Sequence, residues 1–308
     1  ANSEIVAALV DAARRGKEVT VVIELRARFD EAENIELASR LQEAGAVVVY
    51  GVVGYKTHTK MILIARREAK GFKHYVHLGT GNYHASNARL YTDYSFMSGD
   101  EALGKDVHKI FQQLTGMGKV LKIKKLFHAP FTLHDKLISL IEREAKHAQE
   151  GKASGIIIKI NAISEPKIIR ALYRASQAGV PIKLIVRGIC ALRPGVAGVS
   201  ENIEVRSIIG RFLEHTRVYC FHNKGHDEIY GASADWMSRN LLNRVETCFP
   251  IEDKKLIERV KDELNQYLQD NCQSWEMDAQ GEYHLNQPEE GEIRISAQKN
   301  LLESLALT

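Results

Sequence analysis

The sequence predicts an α/β protein made of two copies of one domain. Apolar strands alternate with helical segments, which is typical of a mixed or parallel sheet flanked by helices. A helix closed by glycine, Ala8–Gly16, runs into an apolar strand, and the same order recurs from Ala171–Gly179 about 160 residues later. A solenoid repeats about every 20–50 residues. We therefore predict duplicated domains at 1–125 and 126–308, with the active site at their interface.

The first domain follows a βαβ rhythm. Val19–Ile23 and Val47–Tyr50 are predicted as buried strands, and Asn34–Glu43 as the helix between them. A further strand is expected at Lys73–His77. Lys119–Lys125 is a basic stretch near the predicted boundary, and we interpret it as a solvated linker.

The second domain is predicted to begin with a long helix at Phe131–His147, with Thr132 as its N-cap. We predict three further strands at Gly155–Ile160, Asn202–Ile208 and His215–Phe221. An amphipathic helix is predicted at Leu256–Gln269, a polar hairpin or loop at Gln280–Ile295, and a short helix at Lys299–Leu307. Both domains are thus long enough to form a core of their own.

Composition restricts the class of protein. With 44% apolar and 26% charged residues, the chain has the composition of a soluble globular protein. A net charge of +3 is too small to predict a polyanion partner from charge alone. Four scattered cysteines indicate reduced thiols in a cytosolic protein. No segment reaches the roughly 18–20 apolar residues of a membrane span. Since the chain starts without Met and almost at once enters a helix, we expect a fragment of a longer protein.

Two histidines occupy matching places in the two copies. His58 and Lys60 precede one apolar run, and His215 and Arg217 precede another. In extended backbone, residues i and i+2 face the same side, so each histidine should point with its basic neighbour. A neutral imidazole beside cationic groups suits nucleophilic attack on phosphorus. We predict two half-sites that meet, one histidine attacking and the other handling protons.

Arginines and small-residue turns accompany both motifs. Arg28 and Arg187 end the upstream strands, 30 and 28 residues before the histidines. Strand ends are where α/β sheets place their ligand sites. Downstream of each motif lie a turn and a further arginine: Gly79–Tyr83, which contains Asn82, with Arg89, and Gly231–Trp236 with Arg239. The recurrence of all these features in one order, twice, favours a functional site over a set of unrelated surface residues.

The order of these parts resembles the phospholipase D superfamily, in which two half-motifs form one pseudo-twofold site. The chain differs from the hydrolases of that group. No aspartate follows the lysine at the usual distance, where the sequence has Ala65, and Arg217 replaces the second lysine. Both differences raise the positive charge, which suits a substrate more anionic than a phosphodiester.

Longer stretches are similar to the long bacterial type of polyphosphate kinase, over about residues 3–265 and more loosely to the end. The matching segments are Val22–Glu31, His77–Tyr83, Ala88–Tyr94, Leu184–Cys190, Gly210–His215 and Ser233–Asn240. The resemblance implies two phospholipase D-like catalytic domains without the amino-terminal and head domains of the complete enzyme. His134 is a departure, since the family pattern leads us to expect arginine there.

The resemblance also implies roles for individual residues. His58 would form the phosphohistidine, and His215 would act as the second active-site histidine and proton donor. Arg28 would lie at the Mg²⁺-phosphate site, in contact with metal-bound phosphate oxygens. Tyr91 and Arg187 would contact the nucleotide. We expect the remaining polar residues of the motifs and turns to bind phosphate or nucleotide: Lys60, Arg217, Asn82, Arg89 and Arg239.

The implied activity is reversible transfer of the ATP γ-phosphate to inorganic polyphosphate, with Mg²⁺ as cofactor. Two alternatives stay open: a phospholipase D-like phosphodiesterase or nuclease, and an inactive fragment that binds polyphosphate. The resemblance further suggests a homodimer or homotetramer in the cytoplasm, including the inner membrane surface, with ATP, ADP and polyphosphate as partners and no nucleic acid.

Overall fold

A computed structural model describes residues 3–24, 31–52, 54–69, 71–116 and 122–306. In the first predicted domain the helices are α1 (Glu4–Arg14), α2 (Glu31–Glu43), α3 (Asn87–Leu90) and α4 (Glu101–Leu114). The strands are β1 (Thr20–Val22), β2 (Val47–Val49), β3 (Lys56–Thr57), β4 (Met61–Glu68), β5 (Gly71–Gly79), β6 (Tyr91–Thr92) and β7 (Ser95–Ser98). The predicted strand–helix–strand order of β1, α2 and β2 is confirmed, and β1 and β2 are parallel.

The second predicted domain is larger and more regular. Its helices are α5 (Leu133–Gln149), α6 (Pro166–Gln177), α7 (Ser238–Asn243), α8 (Lys254–Gln269) and α9 (Ala297–Ala306). Its strands are β8 (Phe127–Ala129), β9 (Ile156–Ile160), β10 (Ile182–Val186), β11 (Ile203–Ile208), β12 (Leu213–Glu214), β13 (Val218–Phe221), β14 (Glu228–Ala232), β15 (Arg244–Ile251), β16 (Ser274–Met277) and β17 (Tyr283–Leu285). Of the described helices, none is both long and apolar enough to cross a membrane.

One large sheet organises the molecule. Its strand order is β17-β16-β11-β10-β9-β13-β14-β15-β3, and β8 also pairs with β15. The centre, β9 to β11, is parallel. Strands β13, β14 and β16 are antiparallel to their neighbours, and β15 is antiparallel to β14 and β8. In the first domain, the described strands form a parallel pair, β1-β2, and an antiparallel sheet, β4-β5-β7. The predicted α/β class is confirmed, with the mixed sheet concentrated in the second domain.

Two short strand pairings join the domains. Strand β3, which precedes His58, pairs in parallel with β15 of the second domain. Strand β12, which precedes His215, pairs in parallel with β6 of the first domain. Each histidine segment is therefore tied to the opposite domain by backbone hydrogen bonds. Apolar residues from both domains also share one core cluster, which includes Leu78 and Val107 from the first domain and Phe249 from the second.

Several predicted boundaries shift in the structure. The strand expected at His215–Phe221 begins only at Val218, because the His215 backbone N–H bonds to the Thr92 hydroxyl instead of a ladder partner. Thr132 is the N-cap residue of α5, but its hydroxyl contacts His128 and does not cap the helix. In the predicted linker, the described residues from 122 onward are not simply solvated. The backbone N–H groups of residues 124–126 bind the buried Asp106 carboxylate.

Candidate active site

His58 is oriented by a carboxylate from the other domain. It follows β3, and its backbone N–H donates to the carbonyl of Val245 at 2.9 Å. Its Nδ1 lies 2.9 Å from Oε2 of Glu246, whose side chain is fully buried. The Glu246 carboxylate also accepts from the Ser233 hydroxyl and, at 2.7 Å, from the Asn240 amide. Fully buried and bonded on both oxygens, this carboxylate fixes the ring position.

His215 has the equivalent arrangement in the other half of the site. Its Nδ1 lies 2.9 Å from both oxygens of Asp93, which belongs to the first domain. Asp93 accepts from the buried Thr80 hydroxyl at 2.7 Å, as Glu246 accepts from Ser233. Each histidine is thus held by an acid of the opposite domain, and each acid by a hydroxyl from its own domain's small-residue turn. The two domains form one pseudo-symmetric site.

Two cations connect the histidines. Lys60 is 5% exposed, its ammonium donates to the His58 carbonyl, and burial lowers its pKa to about 7. Arg217 is 4% exposed and pairs with both Asp235 oxygens, at 3.2 and 3.1 Å. Both Lys60 and Arg217 lower the pKa of both histidines by charge repulsion. All four side chains therefore share one electrostatic environment.

Burial dominates the pKa of each histidine. It lowers the pKa of His58 below its ordinary 6.5, and the nearby Glu246 only partly reverses this. Burial likewise lowers the pKa of His215, against the raising effect of its bond to Asp93. Both rings are consequently neutral at pH 7. With Nδ1–H donating to the carboxylate, the lone pair of each ring is on Nε2.

The two Nε2 atoms differ in their surroundings. Nη1 of Arg217 lies 3.0 Å from Nε2 and 3.3 Å from Nδ1 of His215, so the guanidinium lies against the ring. For His58, Nδ1 and the backbone N–H have partners among the described residues, and Nε2 has none. Nε2 of His58 is thus open, while a guanidinium lies against the His215 ring.

The structure brings some of the other predicted residues to this site. The Tyr91 ring centroid lies 5.2 Å from that of His215. Arg187 is partly buried beside Arg217, and its Nη1 is buried without a hydrogen-bond partner among the described residues. An unpaired buried guanidinium nitrogen is costly unless an anion binds it. Arg187 is therefore poised for an anionic ligand.

Other predicted residues are not brought into contact with the histidines. Asn82 and Arg89 are exposed near the first small-residue turn, and Arg239 is exposed on α7. The interactions described for these three residues include no bond to either histidine. Arg28 lies outside the described residues, so its predicted place at the metal site stays a prediction.

Two family models match the chain in succession. A model of polyphosphate kinase C-terminal domain 1 matches residues 1–120, and a model of C-terminal domain 2 matches residues 126–298. Together they cover most of the sequence. The chain belongs to the polyphosphate kinase family. The exact boundary expected between 125 and 126 stays a prediction.

Relatives in this family are similar over almost the whole chain. A polyphosphate kinase of Pseudomonas aeruginosa is 62% identical over 99% of the chain and 44% of its own length. One from Pseudomonas syringae is 64% identical over 99% of the chain and 42% of its own length. The chain therefore spans less than half the length of these curated relatives.

Solved structures agree with the fold. The crystal structure of polyphosphate kinase from Porphyromonas gingivalis matches with a TM-score of 0.91 and 36% identity, covering 99% of this chain and 47% of that one. A phosphatidylserine synthase of Haemophilus influenzae matches with a TM-score of 0.50 and 11% identity, covering 99% and 91%. The second match shows likeness of fold alone. The predicted α/β fold, shared with polyphosphate kinase, is confirmed.

Sequence reasoning on this polyphosphate kinase chain missed the acids that hold the histidines. Thr80 and Asp93 are 13 residues apart, and so are Ser233 and Glu246. That equal spacing, from a small-residue turn to an acid, was the available signal. It also identifies Arg244, which lies two residues before Glu246, as Tyr91 lies two residues before Asp93. Arg244 is partly buried and lies within electrostatic range of Glu246.

The described residues do not form a magnesium cage. No group of three or more His, Cys, Asp or Glu side chains in the described ranges is arranged to hold a metal ion. Asp93 and Glu246 already bind the histidines, and the surrounding side chains are cationic. Mg²⁺ prefers carboxylates, water and substrate phosphates. The donor set described here does not fit a resident Mg²⁺ ion.

Proposed function

We propose that this chain carries the phosphotransfer centre of a polyphosphate kinase. The reaction would be reversible transfer of the ATP γ-phosphate to inorganic polyphosphate through phosphorylated His58. The observation that carries this assignment is the asymmetry of the two rings, since Nε2 of His58 has no partner among the described residues while the Arg217 guanidinium lies against the His215 ring. Family membership supports the substrate class. The chain spans under half of its relatives, so its own activity is part of the proposal.

His58 is proposed as the nucleophile. Burial keeps its ring neutral, and Glu246 holds Nδ1–H so that the Nε2 lone pair faces outward. Lys60, Arg217 and Arg187 supply positive charge for the phosphoryl oxygens. Phosphoryl transfer depends mainly on positioning and on stabilising charge over those oxygens. A neutral imidazole fixed among cations meets both requirements.

His215 is proposed to handle the proton. Its neutral resting form means that it first accepts a proton at Nε2 and then returns it. The Arg217 guanidinium lies against the His215 ring in the structure, 3.0 Å from Nε2. The Asp93 carboxylate would stabilise the imidazolium that forms.

Nucleotide and metal binding are also proposals. Tyr91 presents a partly buried ring beside His215 and would contact the adenine, while Arg187 would bind the phosphates. We propose that Mg²⁺ arrives on the phosphate oxygens of the substrate, because the described donor set does not fit a resident ion. Magnesium would add to the neutralisation of phosphate charge.

The decisive experiment is phosphate labelling of the 308-residue chain. The protein is incubated with Mg²⁺ and γ-labelled ATP, and separately with labelled polyphosphate, and the label is located by mass spectrometry after mild alkaline work-up. We expect acid-labile label on His58 and its loss in His58→Ala. His284→Ala is the matched control, because His284 is an exposed histidine on β17.

Other outcomes have distinct meanings. Label on His215 would reverse the two roles. Absence of label from both donors, with tripolyphosphate still bound, would show a binding fragment that needs the rest of the family's chain. Cleavage of a phosphodiester without nucleotide would favour the hydrolase. We also propose a cytoplasmic protein that assembles as a dimer or tetramer, which native mass spectrometry of the chain would test.

A further inference from the structure

A buried acid immediately precedes His215. Glu214 is 3% exposed, and its carboxylate forms an ion pair of 2.8 Å with Lys159, which is also 3% exposed. The Lys159 ammonium in addition lies 5.0 Å from the centroid of the Tyr267 ring. This pair belongs to neither histidine–acid contact, and the mechanism proposed above does not use it.

Glu214 reaches the catalytic pair through one hydroxyl. Its Oε2 accepts from the Thr92 hydroxyl at 2.9 Å. The same Thr92 oxygen accepts the backbone N–H of His215 at 3.2 Å. Thr92 is also the residue directly before Asp93, whose carboxylate holds the His215 ring. One hydroxyl on β6 therefore fixes both the backbone of the histidine and the position of its acid.

The C-terminal helix holds the other side of Glu214. From α9, the Gln298 amide donates to Glu214 Oε1 at 2.6 Å and to the Phe212 carbonyl at 2.8 Å. It also accepts the Phe212 backbone N–H at 2.9 Å. Gln298 is 5% exposed. Gln298 bonds to Phe212 and Glu214, which lie three positions and one position before His215. Helix α9 therefore holds in place the segment that leads to His215.

Among the described residues, the arrangement around Glu214 has no counterpart in the half of the site that contains His58. The residue before His58 is Thr57, a hydroxyl in place of the carboxylate of Glu214. Its backbone N–H bonds to Glu24 of its own domain. The arrangement around Glu214 is thus an addition to the shared pattern, and it lies beside the histidine that must move a proton.

We propose that Glu214 is a positioning residue that holds His215 and Asp93 together across the domain boundary, with Gln298 of α9 as its anchor. The inference rests on the phosphotransfer function proposed above. Glu214 does not touch the reacting atoms. It acts through Thr92, which joins β6 of the first domain to the segment that enters the site from the second.

Two double variants test this role. Removing one partner of a buried ion pair is strongly destabilising, whereas replacing both by apolar groups is often neutral. Lys159→Met is therefore combined with Glu214→Leu, which removes every polar contact, or with Glu214→Gln, which keeps a side chain of the same shape with an oxygen that accepts the bond from Thr92. The comparison separates positioning from the stability of the ion pair.

The first readout is the titration of His215, followed by NMR of labelled histidine in the 308-residue chain. The contact with Asp93 raises the pKa of His215. In the leucine double variant that contact should be lost and the pKa should fall, with the titration of His58 unchanged as internal control. The glutamine double variant should titrate like the wild type.

The second readout is kinetic. A misplacement of about 1 Å costs on the order of 100-fold in rate, so we expect that loss in kcat for the leucine variant, with KM for ATP nearly unchanged and kcat largely restored in the glutamine variant. Identical titration and kcat in the two double variants would overturn the proposal. If the wild-type chain transfers no phosphate, the proposed function fails, and the titration still decides the role of Glu214.

Discussion

Replacing Lys60 with methionine should stabilise the folded chain at neutral pH and abolish phosphoryl transfer. Burial lowers the pKa of Lys60 from 10.5 to about 7, so folding must either remove a proton from the ammonium or bury a charge. Methionine has a similar length and no charge. The gain in stability and the loss of function would have the same cause, because the buried cation is what a phosphoryl group needs.

The magnitude follows from the pKa values. Each pKa unit corresponds to about 1.36 kcal/mol. The fall from 10.5 to about 7 therefore costs on the order of 4–5 kcal/mol of folding free energy at pH 7. The lost bond to the His58 carbonyl offsets roughly 1 kcal/mol of this, and the attraction of Glu246 is already contained in the pKa shift. We expect a net gain of about 3–4 kcal/mol in the free energy of unfolding.

The pH dependence is a sharper test than the absolute value. The unfolded lysine binds its proton below pH 10.5, and the folded one only below about pH 7. Between these values the unfolded state holds more protons, so wild-type stability rises with pH by about 1.36 kcal/mol per unit relative to Lys60→Met. The advantage of the variant is constant below about pH 7, reaches zero between about pH 9 and 10, and is reversed at higher pH.

Urea unfolding at pH 7.5, 8.5 and 9.5 measures this difference, with the fluorescence of the buried Trp236 as one probe. Lys146→Met is the matched control, because the Lys146 side chain on α5 is 74% exposed. The free energy of unfolding of this control should differ from that of the wild type by the same amount at all three pH values. A difference for Lys60→Met that is independent of pH would refute the reasoning. Saturating tripolyphosphate should flatten the wild-type slope, since a bound polyanion stabilises the charged lysine.

Three further results are expected from the site. Glu246→Gln should lower the pKa of His58, and Asp93→Asn should lower the pKa of His215, because each carboxylate raises the pKa of the histidine that it contacts. NMR titration of the histidines measures both effects. The crossed pairing would be contradicted if each acid affected the histidine of its own domain. Both substitutions should reduce kcat by at least about 100-fold. Arg187→Ala should weaken tripolyphosphate binding roughly 10–100-fold at low salt and less at high salt, measured by calorimetry against the exposed Arg174→Ala.

Local patterns in the sequence were sufficient for the histidines and for the fold class. The His-x-basic spacing is short, so His58 with Lys60 and His215 with Arg217 can be recognised from adjacent residues. The alternation of apolar strands and amphipathic helices is equally local, and it predicted β1, α2 and β2 to within a few residues. Features that depend on neighbours along the chain were accessible.

The acids were not accessible in this way. His58 and Glu246 are 188 residues apart, and His215 and Asp93 are 122 apart. No periodicity of a single sequence reports contacts at such separations. The aspartate of the hydrolase pattern is missing at Ala65, and the structure supplies carboxylates from the opposite domain instead. The bonds of Gln298 to Phe212 and Glu214 were hidden for the same reason.

The turns show a different limit. Asn82, Arg89 and Arg239 lie close in sequence to the buried Thr80 and Ser233, yet their side chains are exposed. The structure shows no bond from these three residues to either histidine, and their role in phosphate binding stays a prediction. The hydroxyls that hold the acids were within the predicted turns, but the residues chosen were their more conspicuous charged and amide neighbours.

The crossed acids also impose an order in time on the newly made chain. During synthesis His58 leaves the ribosome 188 residues before Glu246. At roughly 5–20 residues per second, that interval lasts about 10–40 s. Throughout it the cationic part of the first domain exists without the carboxylate that orients its histidine. A nascent chain thus carries His58 and Lys60 before the carboxylate that orients the His58 ring has been made, and the paired arrangement is complete only when β15 has joined the sheet.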